Sequence, residues 1–73
     1  MAVYVASLDQ HDGCWSWALK PAAAVLPLAG GVELSEGEAL CALREAMSKH
    51  GAHPGNTEVD PQAASDTLIR LLS

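Results

Sequence analysis

The chain has no phenylalanine. Its 73 residues hold three aromatic side chains, Tyr4, Trp15 and Trp17. Much of the 49% hydrophobic share is alanine, which fills little volume, so the rings and the leucines must supply most of any core. Basic residues are also scarce. Lys20, Arg44, Lys49 and Arg70 stand against nine Asp and Glu, for a formal net charge of −5. Four scattered cations build no patch, and nucleic-acid affinity rests on clustered Lys and Arg, so direct phosphate binding is excluded as the expected activity. An acidic domain suits a basic protein surface instead.

Other absences narrow the class further. The start, Met-Ala-Val-Tyr-Val-Ala-Ser-Leu-Asp, has no basic stretch followed by a long apolar one, so no signal peptide is expected. The longest apolar run, Ala22 to Val32, is interrupted by Pro27 and Gly30-Gly31 and falls short of the ~20 residues of a membrane helix. Only Cys14 and Cys41 are present. The expectation is a soluble cytoplasmic protein with both thiols reduced. No Gly-rich phosphate loop occurs, and Gly30-Gly31 reads as a turn. Cys14 flanks a turn beside His11 and Asp12, which could lower its pKa, and Cys41 falls mid-helix, where a thiol is usually inert packing. Neither has a nameable oxyanion donor or orienting partner, and so small a chain has no room for a deep pocket. The expected protein is not an enzyme, has no catalytic residues and needs no cofactor.

What is present reads as strands followed by helices. Val3 to Leu8 predicts a first strand. Asp12-Gly13 suits a hairpin turn. From Cys14 to Lys20 the residues alternate: Trp15, Trp17 and Leu19 share one face, Ser16, Ala18 and Lys20 the other. Pro21 ends that strand or marks it as an edge. A third strand is expected between Ala22 and Leu34, at Val25-Leu26-Pro27-Leu28 or at Gly31 to Leu34. Ser35-Glu36-Gly37-Glu38 fits a capping box that opens a helix. Leu40, Leu43, Met47 and His50 lie on one stripe of it, widened by Ala39 and Ala46, and Gly51 closes it. His53-Pro54-Gly55-Asn56 reads as a turn. Asp60-Pro61 reads as N-cap and first residue of a second helix whose apolar face is Ala64, Leu68, Leu71 and Leu72. The expected fold over residues 1–73 is a single small α+β domain: a short antiparallel sheet of two to three strands, then two helices packed on one face.

Three groups of residues invite a functional reading. The tryptophans could be an exposed platform for a partner or the core of the sheet–helix layer, and without Phe the core is the better use. Tyr4 then matters, because either Tyr4 or the Val3 and Val5 pair must face outward. His11-x2-Cys14 and His50-x2-His53 are reasonable zinc ligands. However, a helix of ~15 residues is about 22 Å long, so a three-stranded meander carries His50 far from His11, and no metal site is expected. Among the carboxylates, Glu38 and Asp60 are explained as caps. Asp9, Asp12, Glu33, Glu36 and Glu58 are left over, either as a solvated surface or as an array that pairs with Lys and Arg of a nucleic-acid-binding protein in place of phosphates.

The strand pair around "YVASL" and "CWSWALK", the helix "SEGEALCALREAMSKHG" and the surplus carboxylates together resemble the small anti-CRISPR proteins carried by bacteriophages and other mobile elements. The likeness covers the whole chain as a layout. It implies inhibition by binding: docking on a Cas effector subunit in the host cytosol and blocking DNA access or nuclease recruitment. The contact residues expected from charge and exposure are Asp9, Asp12, Glu33, Glu36, Glu58 and Tyr4. The competing expectations are a small homodimeric assembly domain, joined through a sheet edge or the second helix, and a zinc-binding module.

Overall fold

The computed structural model describes residues 3–72. Strands β1 (Tyr4–His11) and β2 (Cys14–Pro21) form an antiparallel hairpin in which His11 pairs with Cys14 and Tyr4 with Pro21. The two residues between them, Asp12 and Gly13, have φ of 50° and 81°. Two successive positive φ values are what a two-residue turn of the type that follows strand twist demands. Strand β3 (Ala29–Glu33) returns antiparallel to β2, with Trp17 opposite Gly31 and Trp15 opposite Glu33. It overlaps the second of the two stretches expected from sequence, beginning two residues earlier and ending one residue earlier. Val25-Leu26-Pro27-Leu28 is an irregular connection, as its proline and the adjacent Lys20 side chain, which donates to the Ala24 carbonyl, dictate.

Helix α1 (Glu36–His50) begins where β3 ends. The Ser35 Oγ accepts from the Glu38 N–H at 3.2 Å, and Glu36 and Glu38 occupy the positive end of the helix dipole. At the far end Gly51 takes the left-handed conformation, φ 76°, and its N–H returns to the last helical carbonyls. Ser35→Ala is expected to lower stability by about 1 kcal/mol, measured as the shift in urea midpoint. No shift would mean that the first turn is not held by this cap.

The sheet is mixed and four-stranded, in the order β3-β2-β1-β4. The first three strands pair antiparallel as expected, and the fourth, parallel to β1, is a strand that the expected sheet lacked. Helix α1 carries the chain back to the start of β1, so Thr57 meets Tyr4 and β4 (Thr57–Val59) runs parallel to β1. The next residues keep following β1: the Asp60 N–H donates to the Ala6 carbonyl, and the Leu8 N–H donates to the Ala63 carbonyl. That pairing overrides the helical signal of Asp60-Pro61. The Asp60 carboxylate accepts from the Gln62 N–H in a turn rather than capping a helix. Helix α2 starts only at Asp66 and runs to Leu72, with the Ser65 Oγ accepting from the Leu68 N–H.

Residues opposite each other in a ladder share a face. One face therefore carries Tyr4, Ala6 and Leu8 from β1, Trp15, Trp17 and Leu19 from β2, and Ala29, Gly31 and Glu33 from β3. Helix α1 lies across this face, mainly over β2 and β3, and α2 sits beside β4. Between them the buried core is Ala6, Leu8, Leu19, Ala39, Leu43, Ala46, Met47, Ala52 and Leu68. Trp15 and Trp17 lie on the inner face, as their spacing predicts, but they are half-buried at its margin, and four leucines provide the largest fully buried side chains. Tyr4 also faces inward. Its hydroxyl donates to the His50 carbonyl at 2.6 Å, tying the end of α1 to the start of β1. No helix among the described residues is long and apolar enough to cross a membrane.

Candidate protein-docking surface

The topology sorts the charges along the sheet. The β1–β2 turn, the end of β3 and the start of α1 all lie at one end, because β3 runs antiparallel to β2 and finishes opposite Trp15. The start of α2 joins them: the Thr67 Oγ1 donates to Glu36 Oε1 at 3.3 Å. Asp9, Asp12, Glu33, Glu36, Glu38 and Asp66 are thereby gathered at this end. Three of the four cations are placed elsewhere, and Arg70 is one helical turn from Asp66. Lys20 is at the opposite end of β2, Lys49 in the last turn of α1, Arg44 more than two turns into α1, and Arg70 in the last turn of α2.

The expected contact residues fare differently within that arrangement. Asp12 is exposed in the turn itself. Asp9 stands 3.1 Å from the exposed His11 imidazole. Glu36 is half-buried and holds Thr67. Glu33 belongs to the inner face, where its carboxylate accepts from Trp17 Nε1 at 3.2 Å. That contact depends on Gly31: a Cβ there would lie 3.0 Å from Trp17 Nε1 and 3.4 Å from the Glu33 carboxylate. Glu58 is on β4 beside Val5, toward the other end of the sheet, so the structure separates it from the group. Tyr4 is turned inward, as above, and its ring and hydroxyl serve the fold. Conversely, Glu38 and Asp66 join the acidic end although neither was among the expected contact residues. Glu38 caps α1 through its backbone N–H alone, which leaves its exposed carboxylate available. Asp66 becomes a first-turn residue only once α2 is known to begin at position 66.

The other chemistries have less to stand on. The end of α1 is pinned to Tyr4, and β1 carries the chain from there to His11, about 23 Å away at the rise of a strand. The His11/Cys14 and His50/His53 pairs are accordingly at opposite ends. Among the described residues no group of three or more His, Cys, Asp and Glu could hold a metal ion. Cys14 is half-buried on the open face of the sheet. Cys41 is exposed on α1, which corrects its expected role as packing.

A second surface adjoins the acidic end. Helices cover only one face of the sheet, and β3 is an edge with one side of its backbone unpaired. Val25, Leu26, Leu28, Val32 and Leu34, all within or flanking this strand, are exposed. Sequence reasoning took this stretch for strand and did not foresee that its side chains would face solvent. On the inner face the margin of β3 continues into an open groove lined by Trp17, Ala29, Ala42, Glu45, Ala46 and Lys49. Comparison with protein-family models, curated proteins and solved structures found no match to this chain, so its functional reading rests on its own residues.

Proposed function

We propose that this chain is a non-enzymatic protein-binding inhibitor that docks its acidic end on a basic, nucleic-acid-binding surface of another protein. The observation that carries this reading is the clustering of charge: carboxylates from four elements meet at one end of the sheet, and of the four cations only Arg70, one helical turn from Asp66, lies near it. Fixed carboxylates on a small rigid scaffold can form charge-assisted pairs with Lys and Arg that otherwise hold phosphates. The clustering also steers association, because the field of one end is larger than that of a dispersed net charge. The resemblance in layout to anti-CRISPR proteins supplies the partner: a subunit of a CRISPR effector complex, whose DNA-binding channel would be blocked by occupation.

The test is binding of the purified chain to a purified effector complex at increasing salt. Affinity should fall steeply as screening shortens the reach of the carboxylates, with the Debye length dropping from about 10 Å at 0.1 M to about 3 Å at 1 M. Absence of binding at low salt, or binding insensitive to salt, would refute the proposal.

A further inference from the structure

We infer that the hollow between the second half of α1 and the end of α2 binds a small amphiphilic carboxylate, one anionic head on an apolar chain. Its volume is about 310 Å³, at the lower end of the range for small-ligand sites. Helix α1 supplies Arg44, Met47 and Ser48, the loop after it supplies His53, and the last turn of α2 supplies Leu71 and Leu72. Among the described residues no Asp or Glu lines it, although the chain has nine. The groove beside Trp17 differs, because Glu45 and Lys49 both line it and its charge has no net sign.

The polar side of the hollow is made of donors. Arg44 is exposed, and among the described residues its guanidinium makes no hydrogen bond or ion pair. A guanidinium carries five N–H donors and no acceptor, in a fork that fits a carboxylate. His53 is set by the turn that follows α1. Its backbone N–H donates to Asn56 Oδ1 at 2.8 Å, and the Asn56 N–H returns to the His53 carbonyl at 3.0 Å. Its Nδ1 accepts from the Gly55 N–H at 3.1 Å. A ring nitrogen that accepts carries no proton, so the neutral imidazole has its proton on Nε2, as a donor. That approach needs the bare Gly55, since a Cβ there would stand 3.0 Å from His53 Cε1. The stretch His53-Pro54-Gly55-Asn56 thus reverses the chain and also fixes the tautomer of a side chain in the hollow.

Free carbonyls at the end of α1 would repel an anion, but they are already engaged. The Met47 carbonyl accepts from the Gly51 and Ala52 N–H groups, the Ser48 carbonyl from the Gly51 N–H, and the His50 carbonyl from the Tyr4 hydroxyl. The apolar side selects the rest of the ligand. Met47 is buried, and Leu71 and Leu72 are half-buried, so a hydrocarbon chain laid on them removes apolar surface from water on both partners. A peptide C-terminus has the same anionic head, but it brings backbone N–H groups that need acceptors. Among the lining side chains Ser48 is the one good acceptor, so a free acid without further donors is the better match. The hollow lies toward the end of α1, away from the acidic end, and its occupancy does not rest on the proposed docking.

Octanoate is the probe. Titration followed by the amide NMR spectrum should shift Arg44, Ser48, His53 and Leu72 together and saturably. Hexanoate should bind more weakly by up to about 15-fold, since each buried CH₂ contributes about fourfold in affinity. Octanol keeps the chain and loses the charge, and should bind about tenfold more weakly or worse. Arg44→Gln should weaken octanoate by a similar factor and leave octanol unchanged, with part of the affinity kept in Arg44→Lys. Arg44 is exposed, so circular dichroism of both variants should match the parent. No saturable shift, shifts centred on the exposed Val25 and Leu26, or an octanoate affinity unmoved by Arg44→Gln would overturn the inference. Tighter binding of an acetylated tripeptide ending in leucine would overturn the free acid in favour of a peptide terminus.

Discussion

Leu43→Ala is expected to leave the domain largely unfolded well below the melting temperature of the parent. Leu43 has no exposed surface, and from the middle turns of α1 it joins the same core cluster as Leu8 and Leu19 of the sheet and Leu68 of α2. Truncating a leucine at such a site costs about 2–5 kcal/mol, because the transfer energy is lost and a cavity remains. A domain of this length has a total stability of roughly 4–11 kcal/mol, and its core offers few large side chains to collapse into the space. Ala39 and Ala46, the neighbours of Leu43 on the helix, cannot fill it. Leu40→Ala provides the comparison. It removes the same atoms from the same helix at a half-buried position, so its urea midpoint should move much less. Equal effects at 40 and 43 would mean that α1 presents a different stripe to the sheet.

The elements that were legible in the sequence are those whose signals are local. Asp12-Gly13 supplied both positive φ values, the alternation from Cys14 to Lys20 placed Trp15, Trp17 and Leu19 on one face, and Ser35 and Gly51 bounded α1. What could not be read is what depends on distant partners. Thr57-Glu58-Val59 is too short to show a period, and it becomes a strand only because α1 delivers it alongside Tyr4. Asp60-Pro61 carries a genuine helix-start pattern, but hydrogen bonds with β1 on either side of it confine these residues to a single turn, closed by the Ala63 N–H donating to the Asp60 carbonyl. Tyr4 could face either way by alternation alone, and a single bond from its hydroxyl to the His50 carbonyl accompanies the inward choice. Glu33 looked like surface charge. Register put it opposite Trp15, and the missing side chain at Gly31 let the Trp17 indole reach it. The same limits apply to the acidic end. Its existence follows from which termini share an end of the sheet, so Asp9, Asp12 and Glu36 were recognisable as surplus acids, but Glu58 was not separable from them and Asp66 was not included.

Charge reversal at the acidic end should have the largest effect on function. Asp9→Lys with Asp12→Lys places two cations on the β1–β2 turn, where the structure shows only a pairing between Asp9 and the exposed His11 to be lost. The hairpin geometry comes from the turn backbone, and lysine at position 12 must adopt the φ of 50° that Asp12 has. Asp9→Lys is therefore also made alone, with Glu36→Gln beside it. Steering by clustered charge raises association rates by about 10- to 1,000-fold, so the double reversal should slow association with the effector complex by about tenfold or more at low ionic strength, while Asp9→Lys alone does so partially. Glu58→Lys makes the same change of net charge per residue on β4, away from the group. The decisive measurement is the association rate of Asp9→Lys, of the double reversal and of Glu58→Lys with the purified complex, at low salt and again at high salt. A graded loss confined to the acidic end and erased by salt is the predicted result. Equal loss from Glu58→Lys would show that only net charge matters and would contradict a docking surface built at that end of the sheet.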